Sequence, residues 1–400
     1  MINKNIQHLY TIAQKEERLI IGLMSGTSLD GLDVVLCSFR GAGKDTRVKV
    51  LNFETVPYTI DFKEEILSVF SKQQVDLAKL CLLNGWIGQQ HGRMINECLQ
   101  KWGIDKDTVD LIASHGQTIY HAPKRLHQLE KFGNATLQIG DGDHLAVTTG
   151  ITTLSDFRQK HIAIGGEGAP LAVYGDYLLF SHPAENRVLL NIGGITNFTC
   201  LPADGSMDKI ICTDIGAGNT MMDAYIRTHF TNQFYDKDAL IARRGNVNNA
   251  LLIELKTLDF FSQSFPKTTG PELFNLAFLD KALQVAEVGF ISHEDILATL
   301  NKFTADMIVD ALQRTINAKE DFVVYASGGG IHNPLLMEYL QAGLPNVQFK
   351  DFNILGINPD AKEAVLFAVL ANEAIAGNTS KENNLQGMPQ VSMGKISFPN

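Results

Sequence analysis

A carboxylate followed at once by a glycine pair is the most chemically suggestive run in this sequence: Asp214-Ile215-Gly216-Ala217-Gly218-Asn219. An apolar strand pattern, 209–213, ends at the Asp, and an amphipathic helical pattern, 220–229, begins after the glycines. A helix start offers unpaired N–H groups and a positive dipole end to phosphate. An Asp there can act as a general base, hold a metal ion through water, or simply cap the turn. A second run, Ser25-Gly26-Thr27-Ser28-Leu29-Asp30-Gly31, lies between two apolar stretches, 19–24 and 34–37, with Leu32 and Asp33 just behind. It reads as a β-hairpin tip, either a phosphate cradle built from backbone N–H groups and hydroxyls or an ordinary Gly/Ser turn. Ser327-Gly328-Gly329-Gly330 sits at a strand–helix junction. It leaves bare backbone for a flat ligand such as a purine, or makes a tight connection, with His332 capping or packing. Ser114-His115-Gly116-Gln117-Thr118 and Asp156-Phe157-Arg158 close two short strand patterns. Together they offer imidazole, amide, hydroxyl, carboxylate and guanidinium groups, a mixture suited to a polyhydroxylated ligand, and Arg158 can meet a carboxylate bidentately.

Two other runs fail as phosphate sites. Gly41-Ala42-Gly43-Lys44 is followed by Asp45 where a P-loop needs Ser or Thr. The glycines at 165, 166 and 168 lack the last glycine of a dinucleotide fingerprint, because Leu171 fills its place. No Cys/His cluster has zinc-ligand spacing.

The elements that carry these runs follow one order twice. The first half reads as the hairpin, a strand at 48–55, helices at 61–71 and 76–100, strands at 109–113, 136–139 and 151–154, and a helix to about 180. Asp141 or Asp143 caps a helix that Gly150 ends. The second half reads as a hairpin, 187–192 and 195–201, around Gly193-Gly194. It continues with the strand and helix flanking Asp214–Asn219, a helical stretch from 232 to 319, and strands at 322–326 and 347–350. A helix starts at Asn333-Pro334, and another spans 360–376. The expectation is an α/β fold of two duplicated domains, 19–182 and 183–376, with a cleft between them and a helical insertion at 232–319 in the second. Residues 1–18 and 377–400 are terminal extensions, the latter polar and loose.

Length and composition agree. Four hundred residues favour two domains, and 45% apolar with 20% charged residues is globular. A net charge of −10 argues against nucleic acid or an anionic membrane as partner. The five cysteines form no C-x-x-C pair and read as buried thiols of a reducing compartment, the cytoplasm. There is no apolar run long enough for a membrane span and no signal-peptide core.

Gly22 through Asp33 resembles the signature of the anhydro-N-acetylmuramic acid kinases, and so, in order, do Ser114–Thr118, Asp156–Arg158, Gly165–Leu171, Asn191–Gly194, Asp214–Asn219, Thr269-Gly270 with Glu272–Asn275, and Glu363-Ala364 with Phe367. The matches run from about residue 20 to 376. The resemblance implies the sugar kinase, Hsp70 and actin fold of two RNase H-like domains, with ATP and Mg²⁺ in the central cleft. It implies an enzyme of cell-wall recycling that opens 1,6-anhydro-N-acetylmuramic acid with water and phosphorylates the 6-oxygen. On that basis Gly26, Thr27, Ser28, Leu29, Asp30, Gly31, Leu32 and Asp33 form the ATP loop. Gly216 and Gly218 line the phosphates, and Gly328, Gly329 and Gly330 border the adenosine. Asp214 activates water, Glu363 lies near the reacting groups, and His115, Gln117, Asp156 and Arg158 surround the sugar.

The sequence departs from the family pattern at His161 (usually Asp), Glu167 (usually Gln), Pro271 (usually Arg) and Ala172-Val173 (usually Val-Pro). These departures leave open a kinase of the same fold for another anhydro- or amino sugar, or a weakly active ATP-binding sensor. The expected partner is a small sugar, and the helical insertion is a candidate homodimer surface.

Overall fold

In the computed structural model the chain divides into two units, Met1–Leu179 with Gly356–Asn400, and Phe180–Leu355. Residues 2–169, 171–206, 209–316, 321–377 and 392–400 are described.

The first unit is built on β1 (Glu17–Ser25), β2 (Gly31–Arg40), β3 (Arg47–Pro57), β4 (Leu111–Ala122), β5 (Ala135–Ile139) and β6 (Thr153–Ser155). β1, β2 and β3 form an antiparallel meander, and β4 pairs parallel with both β1 and β6. The spatial order is therefore β3-β2-β1-β4-β6, with β5 antiparallel to the far end of β4. Side chains alternate across the sheet. Ile21 and Leu23 join the cluster under helix Leu77–Trp102, which buries Leu83, Ile87, Ile95 and Leu99 and stops at left-handed Gly103. Gly22, between them, lies against Ala364 of helix Lys362–Ala376 on the other face.

The second unit repeats the order. β7 (Asn186–Ile192), β8 (Ile195–Leu201) and β9 (Ile211–Ala217) form the antiparallel meander. β10 (Phe322–Ser327) pairs parallel with β7 and with β11 (Gln348–Asp351), giving β9-β8-β7-β10-β11. This is the duplicated RNase H-like arrangement expected from the sequence. Helices Asn249–Leu255, Asp259–Ser262, Leu276–Val285 and His293–Thr315 occupy the expected helical stretch, whose last residues, 317–319, lie outside the described part. Phe274, Phe303, Leu297 and Ile308 are buried among them and seal the core beside β7–β9.

Several expectations need revision. Helix Lys362–Ala376 belongs with the first sheet, not with the second domain of 183–376, because its unbroken buried run Ala364–Asn372 covers β1, β2 and β4. The tail is not all loose: Lys395–Ser397 is a strand antiparallel to β6, while 378–391 lie outside the described residues. β4 does not stop at Ala113. A left-handed Gly116 and shifts of register carry it on to Ala122. β9 likewise runs through Asp214 to Ala217.

Candidate active site

In the first unit the β1–β2 turn exposes Thr27, Ser28 and Asp30, while Leu29, at φ 57°, is buried beneath them. The apolar anchor and a hydrogen bond from Tyr58 N–H to Asp30 O (3.1 Å) hold the loop to the sheet. Gly31 and Leu32 are buried at the start of β2, and Asp33 accepts from Thr55 Oγ1 at 2.5 Å. Burial raises the pKa of Asp33, against the Thr55 bond. Gln117 departs from the sugar-contact expectation. It is fully buried, its amide oxygen accepts from Ser25 Oγ, and its nitrogen donates to Gly26 O (3.3 Å). That amide is spent on the hairpin.

His115 and Arg158 do meet: Arg158 Nε donates to His115 Nε2 at 2.9 Å, and Arg158 Nη1 to Gly168 O at 2.8 Å. Burial, with Arg158 alongside, pushes His115 down to about 3, so the ring is neutral at working pH. Phe367 packs 4.7 Å from that ring. Asp156, held at φ 58°, pairs with Lys395 of the C-terminal strand. Ser114, His115, Asp141, Ser155, Asp156 and Lys395 share the wall of an open recess of about 360 Å³. Asp141, rather than Asp143, caps helix Gly142–Thr149. Glu363 keeps an exposed edge, yet crowding by protein raises its pKa, against Arg158 and Lys362. His161 is buried, accepts from Gly168 N–H at 3.1 Å, and is kept neutral by burial and by Arg158. It therefore anchors the 165–168 loop. Glu167 faces Arg125 at 3.5 Å.

In the second unit Asp214 sits on β9, clasped by the segment that follows Pro266. Asp214 N–H and Thr213 Oγ1 both donate to Lys267 O (3.0 and 3.1 Å), and Thr269 N–H donates to Asp214 Oδ2 at 2.9 Å. Lys267 is pinned in turn: its ammonium donates to Phe260 O at 2.8 Å and lies 4.2 Å from the Phe260 ring and 5.3 Å from Phe265. Burial, with Arg314 near, pushes that amine down to about 8. Burial first, then Glu272, raises the pKa of Asp214, while the Thr269 bond lowers it. The result is one carboxylate oxygen fixed and a base whose proton affinity is above the ordinary 3.8.

Gly216 is buried on β9, and Gly218 lies against the β7–β8 turn. Gly218 N–H donates to Gly194 O and Asn219 N–H to Gly193 O, both at 2.8 Å. A Cβ at 218 would stand 2.2 Å from Gly193 O, so glycine is required there. Of the three glycines after β10, Gly328 (φ 83°) and Gly330 are needed to pack on Ile192. Gly329 alone borders an open recess of about 460 Å³, with Asn219, Asp223, Tyr235, Asp238 and His332 also on its wall. Asp223 and Tyr235 carry no motif. Their amphipathic or insertion positions concealed them, as sequence distance concealed Lys267 from Asp214.

A model of the family described as anhydro-N-acetylmuramic acid kinase matches residues 18–398. The chain belongs to that family. The anhydro-N-acetylmuramic acid kinase of Pseudoalteromonas atlantica is 57% identical over 400 residues, covering 100% of both chains. That of Caldanaerobacter subterraneus subsp. tengcongensis is 40% identical over 398 residues, covering 98% of this chain and 100% of its own. Among solved structures, hexokinase from Schistosoma mansoni complexed with glucose aligns at a TM-score of 0.36 and 11% identity, over 90% of this chain and 86% of that one. Among the described residues no helix is long and apolar enough to cross a membrane.

Proposed function

We propose that this chain is an ATP-dependent kinase that opens 1,6-anhydro-N-acetylmuramic acid with water and phosphorylates its 6-oxygen, yielding N-acetylmuramic acid 6-phosphate. The observation that carries the mechanism is Asp214: one oxygen accepts from Thr269 N–H, and no described residue hydrogen-bonds the other. That oxygen takes the proton of the attacking water as its oxygen bonds to C1. The C1–O6 bond breaks, and O6 accepts the γ-phosphoryl group as ADP leaves.

Other residues position the reactants, which is most of what phosphoryl transfer demands. The hairpin tip, Gly26–Asp33, receives phosphate oxygens, and Gly218 acts by letting the chain leave β9 close to the β7–β8 turn, an approach that holds the Asp214–Asn219 junction in shape. The recess beside Gly329 suits a nucleoside: bare backbone on one wall, the Tyr235 ring and the Asp223 and Asp238 carboxylates on others. The recess bearing Ser114, His115 and Asp156 suits sugar hydroxyls. Arg158, held by His115, favours an ionised Glu363 near the reacting groups. Among the described residues no group of three or more His, Cys, Asp or Glu is arranged to hold a metal ion. Mg²⁺ would enter with the triphosphate, held chiefly by phosphate oxygens and water, and would neutralise phosphate charge there. The cytoplasm, where ATP is available, is the proposed location.

The test is ADP release coupled to a detectable reaction, with anhydro-N-acetylmuramic acid and ATP, and identification of the phosphorylated sugar. Sugar-dependent turnover is expected, with Asp214→Asn cutting kcat by about 10²- to 10⁴-fold at unchanged ATP affinity. ADP release without sugar dependence would refute the reading.

A further inference from the structure

Behind the hairpin tip lies a chain of buried hydrogen bonds that runs from two of the recognised motifs out to residues in neither, Tyr58 and His91. His91 Nε2 is 3.0 Å from Tyr58 OH, which is 2.7 Å from Ser25 Oγ. Ser25 bonds Gln117 Oε1, and Gln117 Nε2 reaches Gly26 O at 3.3 Å. Every side chain in it is buried, and His91 comes from helix Leu77–Trp102.

The direction of each bond is determined. Gln117 Nε2 faces two carbonyl oxygens, those of Gly26 and Thr118, so the amide nitrogen is the donor there and the amide oxygen faces Ser25. Ser25 must then give its single proton to that oxygen. Its Oγ can only accept from Tyr58, which in turn must accept from His91 Nε2–H. The other ring nitrogen of His91, Nδ1, has no partner among the described residues; with Nε2–H donating to Tyr58 it is the unprotonated nitrogen of the neutral ring. Rings hold the chain in place: Tyr58 stacks on Phe62 at 4.2 Å, and Phe62 on Trp86 at 5.1 Å.

The last bond has a consequence at the tip. The Gly26–Thr27 peptide is trans, so its C=O and N–H point in opposite directions. Holding Gly26 O inward against Gln117 turns Thr27 N–H away from the protein interior, and Thr27 is exposed. We propose that the one-way chain His91→Tyr58→Ser25→Gln117→Gly26 O sets the hairpin's outward N–H donor for phosphate, making Tyr58 and His91 positioning residues for ATP. This rests on the reading of the hairpin as the phosphate loop.

The experiment measures dissociation constants for ATP and for adenosine by calorimetry on the full chain, with thermal midpoints alongside. Tyr58→Phe keeps the ring and breaks the chain. It should raise the Kd for ATP about 5- to 30-fold, the range for one misaligned hydrogen bond, and leave adenosine unchanged. His91→Leu should do the same. His91→Gln, whose amide can still donate to Tyr58, should return ATP binding to within about 3-fold of wild type, a rescue that a packing defect would not show. Thr27→Pro removes the outward N–H itself. If it weakens ATP binding while Tyr58→Phe stays within about 2-fold of wild type, the relay is wrong and the phosphate loop stands. If neither variant weakens ATP binding, the phosphate-loop reading fails and takes the relay with it.

Discussion

Thr269→Pro tests whether the protein tunes Asp214, the proposed general base, through a backbone amide. The wild-type rate should follow the ionised fraction of Asp214, so kcat falls as pH drops through a pKa that burial and Glu272 hold above 3.8. The 2.9 Å bond from Thr269 N–H stabilises the ionised form and opposes that rise. A hydrogen bond to a charged acceptor is worth about 1.5–3 kcal/mol, and one pKa unit is about 1.4 kcal/mol. Asp214 is partly accessible, so water can replace some of the lost bond, and the lower end applies. The acid limb of the kcat profile should therefore move up by about 1 pH unit in Thr269→Pro. Glu272→Gln removes a like charge and should move it down by less than about 1 unit. Coupled ADP-release assays from pH 4 to 8, with thermal midpoints as a folding control, read both shifts. An unmoved limb in a folded Thr269→Pro protein, with Asp214→Asn still inactive, would refute the tuning argument. The same linkage bears on stability. A carboxyl whose folded pKa is raised contributes stability below its unfolded pKa and loses it as pH rises through the folded value. Asp214→Asn should therefore keep or raise the thermal midpoint at pH 7–8.

Three further outcomes are expected. Gly218→Ala places a Cβ 2.2 Å from Gly193 O and strains two 2.8 Å backbone bonds. It should cost about 2–4 kcal/mol in urea unfolding and weaken ATP binding. Asp223, pushed up to about 6 by burial despite Arg227, should make nucleoside affinity rise as pH increases through about 6. Asp223→Asn should flatten that profile, and a flat wild-type profile from pH 5 to 7 would exclude a role for Asp223 in binding the nucleoside. Lys395→Ala releases Asp156 and should raise KM for the sugar about 2- to 5-fold, the range of an exposed ion pair, with KM for ATP unchanged. An equal rise in both values would make the pair merely structural.

Patterns local in sequence were the legible ones. Hairpin periodicity, the Asp214–Asn219 junction and the Asn333-Pro334 helix start all report interactions among near neighbours, and the duplicated strand order followed from them. Pairings across long sequence separations were not legible. Hydropathy marks helix Lys362–Ala376 as buried but cannot say which sheet it covers. The strand Lys395–Ser397 is too short and polar to register a period, and only pairing with β6 defines it. Gln117 looked like a ligand group because an amide beside a His at a strand end has no visible partner until Ser25 is brought against it. Tyr58 and His91 were invisible for the same reason, being 33 residues apart in the chain.

The route of the chain through the first sheet has a bearing on biosynthesis. β1, β2 and β4 are made early, yet the helix that covers one face of them, Lys362–Ala376, is made almost last. The intervening segment, Phe180–Leu355, is a continuous stretch that can complete its own core on the ribosome. The N-terminal sheet meanwhile lacks the helix that covers one of its faces, and closing that face needs a contact of long sequence separation, the kind that forms slowly and exposes apolar surface while it waits. Truncation before residue 362 is accordingly expected to leave the N-terminal sheet insoluble while the later-encoded stretch still folds, as read by the soluble fraction of each fragment on expression.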